Sequence, residues 1–238
     1  MNSNARSIIG VLDATIDVLL VAFFACVLAF GAYGVYDSYL VGAETRGDAE
    51  AVRNVLDGND DGDGRTIEGK MVARLRLDGA GIDLPVMQGS DNVEYLNKNP
   101  FGEDSLSGSA FLDFRNADDF ADELSIVYGH AMEGGEMFGS LVRYEDEDWL
   151  RSHEDGVLTL NGSDEPLRVF AVLETDANDA SVLDPKGTKE NALGTIERSA
   201  IVLDEEAKPK ENENLLILVT CKRPDSTERI AVAAAFEP

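Results

Sequence analysis

The sequence predicts an all-β protein: an eight-stranded, closed or nearly closed β-barrel with a few short helices, preceded by one N-terminal transmembrane helix. Three observations lead to this prediction. An uncharged apolar run covers residues 18–36. From Lys70 onward, short segments dominate in which apolar and polar residues alternate. Few stretches of that region have the periodicity of a helix.

The apolar run has the length of a membrane span. It lies between Asp17 and Asp37, and as a helix it would extend about 28 Å, close to the roughly 30 Å of a bilayer core. It is longer than the apolar part of a cleaved signal peptide, although Ala29 and Gly31 leave cleavage open as an alternative. Arg6 precedes the run and favours a cytoplasmic N-terminus. We therefore expect a single-pass protein of the cell membrane with an extracellular domain.

Three segments follow from this pattern. Residues 1–43 are expected to form a short cytoplasmic tail and the anchor, residues 44–69 a polar juxtamembrane helix and an acidic linker, and residues 70–238 the folded domain. The chain has 20 basic and 46 acidic residues, a net charge of −26. A field of this sign repels nucleic acid, so we expect no nucleic-acid partner.

Eight segments have the composition of strands. They are MVARLRL, IDLPVMQ, SGSAFLDF, LSIVYGH, GVLTLN, LRVFAVLET, NLLILVTC and RIAVAAAF. DGAG, at 78–81, predicts a hairpin turn between the first two. Short helices are expected near 93–97, 137–151 and 191–200.

Cys221 is the residue that indicates a function. The other cysteine, Cys26, lies in the apolar run, so Cys221 has no obvious disulfide partner although disulfides normally form outside the cell. Cys221 ends a strand segment and is followed by Lys222, Arg223 and, later, Arg229. A cysteine attacks as its thiolate, which nearby positive charge stabilises, and a guanidinium can donate hydrogen bonds to an oxyanion.

His130 is the better of the two histidines as a partner for this thiol. It ends a strand segment and precedes a glycine-rich turn, whereas His153 lies among charged residues and indicates a surface or capping position. Catalytic side chains often lie where strands of a rigid scaffold end. Two interpretations of Cys221 stay open on chemistry alone: a nucleophile paired with His130, or a small residue buried at a strand end.

These residues lie in segments that resemble class B sortases. YGHAMEGGEMFGSL is similar to the histidine segment of that family, and LVTC followed by Arg229 is similar to its cysteine–arginine segment. GAGIDLPVMQGSDNVEYLN and SLSGSAFLDFRN extend the resemblance, which runs from about Lys70 to the C-terminus. Ile217 and Val219 stand where the family often has hydroxyl groups, which bears on substrate preference. Residues 174–210 match the family poorly.

The resemblance implies a sortase-type barrel and a cysteine transpeptidase of the Gram-positive cell envelope. In that role Cys221 attacks the threonine carbonyl of an LPXTG-like or NPXTN-like sorting signal, His130 is the general acid, and Arg229 steadies the oxyanion or the substrate backbone. An amine, from a cell-wall precursor or a pilin lysine, then resolves the thioacyl-enzyme. No cofactor is required.

Asn92 and Leu96 are further candidates, since the resemblance implies that they line the peptide groove, with Val219 on the cysteine strand. A helix cap and a core leucine are the alternatives for the first two. At the level of function, a hydrolytic cysteine peptidase and a non-catalytic envelope-binding protein also stay open.

An acidic segment fits the pattern of a calcium-binding loop, D-x-[DN]-x-[DN]-G-x5-E. Its candidate ligands are Asp57, Asn59, Asp61, Asp63 and Glu68. Gly64 stands where such loops usually have an apolar residue, and no convincing second helix follows. A calcium site and a flexible acidic linker are therefore both open.

Overall fold

The computed structural model of this chain describes residues 3–59, 64–221 and 226–237. It contains two compact units, Met1–Glu44 and Thr45–Pro238. Helix α1 (Ser3–Leu56) supplies the first unit, and its residues from Thr45 onward belong to the second unit, together with the barrel.

The first unit contains a helix that is long and apolar enough to cross a membrane. This helical segment is Ala14–Leu56. Its most apolar stretch of 18 residues has a mean hydropathy of 2.5, and none of that stretch is buried. Large apolar side chains such as Phe24 and Phe30 are exposed there. An apolar surface on every side of a helix is typical of a segment that lies in lipid.

Nine strands are found in the described residues. They are β1 (Met71–Leu77), β2 (Ile82–Met87), β3 (Ala110–Leu112), β4 (Leu124–Tyr128), β5 (Asp155–Leu160), β6 (Ser163–Asp176), β7 (Ala200–Leu203), β8 (Asn214–Cys221) and β9 (Glu228–Phe236). The helices after α1 are α2 (Glu147–Ser152), α3 (Ala180–Leu183) and α4 (Lys189–Ser199), with 3-10 turns at Asp78–Ala80, Glu94–Leu96, Glu133–Gly135 and Gly139–Glu145.

Eight of these strands close into a barrel. Their order is β5-β1-β2-β3-β4-β8-β9-β6, and pairing between β5 and β6 closes the ring. The pairs β2–β3 and β4–β8 are parallel, and the other pairs of the ring are antiparallel. The predicted eight-stranded barrel is confirmed, with a strand at each of the eight predicted segments.

The ninth strand and one helix were not predicted. Strand β7 pairs with β6 outside the ring, and it has only four residues, too few to show an alternating pattern. Helix α3 also has four residues. Both lie within residues 174–210, where the sequence predicts only a helix near 191–200, and α4 is found there.

Strands β8 and β9 are buried on both faces. Leu216 and Leu218 point into the barrel core, which also contains Phe236, whereas Ile217 and Val219 belong to a second apolar cluster. The second cluster lies under α3 and α4, which contribute Val182, Leu183, Ala192 and Ile196. Burial on both faces explains why these strands are almost continuously apolar rather than alternating. Packing on both faces also holds β8, the strand that ends at Cys221, in position.

Candidate active site

The catalytic candidates lie at the ends of three adjacent strands, β4, β8 and β9. In the parallel pair β4–β8, Tyr128 lies opposite Val219. Continued by two residues beyond the end of β4, this register would place His130 level with Cys221. In the antiparallel pair β8–β9, Cys221 lies opposite Arg229. Since neighbouring strands are about 4.8 Å apart, the three backbone positions lie side by side at one edge of the barrel.

A cleft of about 270 Å³ lies at this edge. Its lining includes His130 and Arg229 and also all three substrate-binding candidates, Asn92, Leu96 and Val219. Two parts of the lining come from segments far apart in the chain: Asn92 and Leu96, here called the first wall, and Ala177 and Leu183, here called the second wall. The lining is completed by Phe111, Tyr128, Gly129 and Thr220. Five residues proposed from separate parts of the sequence therefore meet in one cleft.

His130 is oriented by a backbone carbonyl. Its Nε2 lies 2.8 Å from the carbonyl oxygen of Leu96. A carbonyl oxygen only accepts hydrogen bonds, so Nε2 carries the proton in this contact and Nδ1 is the nitrogen that can exchange one. The loop after His130 is anchored by the Phe138 N–H, which donates to the His130 carbonyl at 2.9 Å. Leu96 therefore contributes its backbone to the site as well as a side chain.

Arg229 is held at the start of β9. Its Nη1 donates to the carbonyl oxygens of Ser226 and Glu228, at 2.7 and 3.1 Å. The pKa of the Asp176 carboxyl lies below its usual value, first because of a hydrogen bond from Thr227 and with a smaller contribution from the charge of Arg229. Lys222 and Arg223, the other members of the basic cluster predicted around Cys221, lie outside the described residues.

A buried carboxylate lies beneath the cleft. The side chain of Asp113 is fully buried, and it accepts hydrogen bonds from Asn92 Nδ2 at 2.9 Å and from the Tyr128 hydroxyl at 3.2 Å. Arg115 donates to both carboxylate oxygens, from Nε at 2.9 Å and from Nη2 at 2.8 Å. Burial raises the pKa of Asp113, but these donors outweigh it, and the net pKa lies below the usual value. Burial, together with the charge of Asp113, raises the pKa of Tyr128.

The comparisons with known proteins agree with this geometry. A profile of the sortase domain matches residues 75–237, more than half of the chain. This chain belongs to the sortase family. Sortase B of Listeria monocytogenes is 38% identical over 105 residues, which are 44% of this chain and 43% of that protein. The chain thus matches less than half the length of this curated relative.

Solved structures of class B sortases resemble this sortase. A class B sortase of Streptococcus pyogenes involved in pilus biogenesis has 33% identity and a TM-score of 0.64, over 69% of this chain and 91% of that one. Sortase B of Clostridium perfringens has 29% identity and a TM-score of 0.64, over 70% and 93% of the two chains. The resemblance found in the sequence is confirmed. The family consists of cysteine transpeptidases.

Several residues that line the cleft or support its lining were not identified from the sequence of this sortase. Asp113 and Arg115 follow an apolar strand segment in FLDFRN, and charged residues at a strand end were a signal that could have indicated them. Ala177 and Leu183 gave no signal, because they lie in the stretch that matched the family poorly. His153 is not a cleft residue: it caps the C-terminus of α2 and stacks on Trp149, with ring centroids 3.8 Å apart.

The candidate calcium ligands are only partly described. Asp57 accepts a hydrogen bond from Arg74 Nη1 at 2.8 Å, so its charge is already paired. The N–H groups of Asn59 and Glu68 donate to the carbonyls of Asn54 and Pro100, while Asp61 and Asp63 lie outside the described residues. Among the residues that are described, no group of three or more His, Cys, Asp or Glu side chains could hold a metal. The calcium site stays a prediction.

Proposed function

We propose that this class B sortase cleaves a sorting signal of the LPXTG or NPXTN type after its threonine and transfers the acyl group to an amine. Cys221 is the nucleophile, His130 the general acid and base, and Arg229 the group that stabilises the oxyanion. The observation that supports this proposal is the strand register. Tyr128, two residues before His130, pairs with Val219, two residues before Cys221, and Cys221 pairs with Arg229. His130 and Arg229 line the adjoining cleft.

The first step is acylation. The Cys221 thiolate attacks the threonine carbonyl carbon and forms a C–S bond, and the charge moves to the carbonyl oxygen. Arginine has five N–H donors, so donors beyond the backbone-bound Nη1 of Arg229 can stabilise this oxyanion. The peptide C–N bond then breaks, and the His130 imidazolium gives its Nδ1 proton to the departing amine. The products are a thioester and a neutral imidazole.

The second step transfers the acyl group. An incoming amine attacks the thioester carbonyl and gives a proton to His130, a new C–N bond forms, and the C–S bond breaks to restore the thiolate and the imidazolium. The amine belongs to a peptidoglycan precursor or to a pilin lysine. The role in pilus biogenesis of the Streptococcus pyogenes relative supports the second acceptor. The reaction requires no metal or cofactor.

Helix α1 supports a proposal for the position of the enzyme in the cell. We infer that its apolar part spans the membrane once, with the catalytic domain outside the cell, where secreted proteins that bear a C-terminal sorting signal would meet it. The length and hydropathy of Ala14–Leu56 support the span, and Arg6 before the apolar run supports the orientation.

The decisive experiment incubates the full-length protein, in detergent, with a library of sorting-signal peptides and an amine acceptor, followed by mass spectrometry. We expect a thioester adduct on Cys221 and product joined to the amine. Cys221→Ala should abolish both, whereas Cys26→Ala, the matched control, should retain them. His130→Ala should lower kcat/KM at least about 100-fold, and His153→Ala should change it little.

Three outcomes would contradict the proposal. Turnover by the Cys221→Ala protein near that of the wild type would exclude this nucleophile. Release of the peptide to water at a rate that added amine or hydroxylamine does not increase would identify a hydrolytic peptidase instead. A thiol at Cys221 that reacts no faster than free cysteine, with no cleavage of any peptide, would favour a non-catalytic envelope-binding protein.

A further inference from the structure

We propose that Asp113, Arg115 and Asp184 form a clamp that fixes the distance between the two walls of the cleft, and thereby determines which peptides this sortase accepts. The proposal rests on the function proposed above and adds positioning residues for specificity. None of the three residues lines the cleft itself; they act through the cleft residues that they hold.

The first wall is held by the buried carboxylate. Asn92 lines the cleft, and its amide is fixed at both ends: Nδ2 donates to Asp113 and Oδ1 accepts from the Phe114 N–H at 3.0 Å. Both groups that Asn92 could offer to a peptide therefore already have a partner in the protein. This arrangement makes Asn92 a brace of the wall, and Asp113 determines its position.

The same carboxylate also holds Tyr128, another residue that lines the cleft. The Tyr128 hydroxyl donates to Asp113, and Tyr128 is the last residue of β4, two residues before His130. Tyr128 therefore contacts the clamp with its side chain, while its backbone leads to the catalytic histidine. A change at Asp113 is thus expected to affect the walls and the catalytic strand together.

The second wall is attached through one guanidinium. Arg115 binds Asp113 with Nε and Nη2, and its Nη1 donates to Asp184 at 3.2 Å. Asp184 directly follows α3, whose last residue, Leu183, lines the cleft. The chain of contacts runs from Asn92 through Asp113 and Arg115 to Asp184, and so connects the two walls.

The two halves of the clamp differ in strength. Asp113 is fully buried, whereas the side chains of Arg115 and Asp184 are each 37% exposed. Water competes for an ion pair that is exposed to this degree, so the contact with Asp184 is the weaker one and the α3 wall is the one that can move. Loss of the contact between Arg115 and Asp184 should therefore loosen the α3 wall, while Asn92 and Tyr128 stay in place.

The test uses Asp184→Asn, which removes the charge that Arg115 contacts. In the wild type the Lys186 N–H donates to Asp184 Oδ1 at 3.1 Å, and the asparagine oxygen can still accept this hydrogen bond. The matched control is Asp164→Asn, since Asp164 also lies 3.2 Å from an arginine Nη atom, that of Arg76, but away from the cleft. Full-length proteins in detergent are compared on peptides that vary in the residues before the threonine.

We expect Asp184→Asn to raise KM for the preferred peptide about three- to fivefold, the size typical of a part-exposed ion pair, with kcat within about twofold. The preference for that peptide over bulkier ones should fall by a similar factor. Asp184→Glu, which keeps the charge, should restore the preference, and Asp164→Asn should not alter it. Unchanged selectivity in Asp184→Asn, in an active enzyme, would overturn the clamp.

A second measurement does not depend on turnover. Amide hydrogen exchange of residues 177–187 should be faster in Asp184→Asn than in the wild type or Asp164→Asn, because the α3 wall has lost an attachment. Equal exchange in all three proteins would overturn the clamp even if no peptide is cleaved. A third outcome is that the wild type cleaves no peptide, while the amides of residues 177–187 still exchange faster in Asp184→Asn than in the wild type. That outcome would contradict the proposed function and retain the clamp.

Discussion

Replacing Asp113 by asparagine should lower the stability of the barrel, because it removes a fully buried charge that accepts hydrogen bonds from three side chains. Loss of one partner of a buried ion pair costs about 3–5 kcal/mol. Arg115 is part-exposed and can turn to water, and asparagine still accepts one hydrogen bond. We therefore expect the free energy of unfolding to fall by the lower end of this range, about 3 kcal/mol at pH 7. For a domain of this size that loss lowers Tm by roughly 6–12 °C.

The dependence on pH tests the electrostatic origin of this loss. The pKa of Asp113 is lower in the folded protein than the usual value, which is about 3.9 in an unfolded chain. Its stabilising contribution is therefore complete above that value and is lost as the pH falls through the folded pKa. The difference in stability between wild type and Asp113→Asn should be constant from about pH 5 to pH 8 and should narrow below about pH 4.

Thermal unfolding of the full-length proteins, followed by circular dichroism at several pH values, measures this difference. The other carboxyl groups are common to both proteins and largely cancel in the comparison. As a control, Asp164→Asn removes a carboxylate that is more than half exposed and should cost less than about 1 kcal/mol. A loss below about 1 kcal/mol for Asp113→Asn at pH 7, or a difference that grows towards acid pH, would refute the reasoning.

Two further predictions concern the parts of the chain outside the cleft. Removing divalent metals with a chelator should leave peptide cleavage unchanged, because no step of the proposed reaction uses a metal; a rise in Tm on adding Ca²⁺ that Asp57→Asn abolishes would instead favour the calcium loop. Alkaline carbonate should fail to extract the full-length protein from membranes but should release a chain that lacks residues 1–43, and release of both would contradict the membrane span.

The strands were predictable because they have strong local patterns. Strands β8 and β9 are apolar along almost their whole length, which is typical of strands covered on both faces, and β1 and β2 are joined by a turn in which Gly81 has a φ of 70°. Strand β7 has no comparable pattern, since its four residues depend on pairing with β6 rather than on their own sequence.

The catalytic candidates could be proposed from the sequence for a different reason. Cys221, His130 and Arg229 are chemically distinctive residues at the ends of strand segments, and the resemblance to class B sortases joined them. The braces of the cleft were not predictable in this way. Residues 92, 113 and 184 are linked through tertiary contacts that neither the spacing nor the periodicity of the sequence indicates. Aspartate and asparagine are also common wherever chains turn, so their presence alone does not indicate a brace.

The two layers around β8 explain how one fold can keep its chemistry while changing its substrate. The strand that ends at Cys221 is packed between the barrel core and the cluster under α3 and α4, so its position is determined by apolar contacts on both faces. Helix α3 also forms a wall of the cleft, and the link from this wall to the buried carboxylate is one part-exposed ion pair. A change in residues 174–210 can therefore reshape the wall without displacing the strand ends. This is the physical reason to look for substrate preference in α3 and for catalysis in β4, β8 and β9.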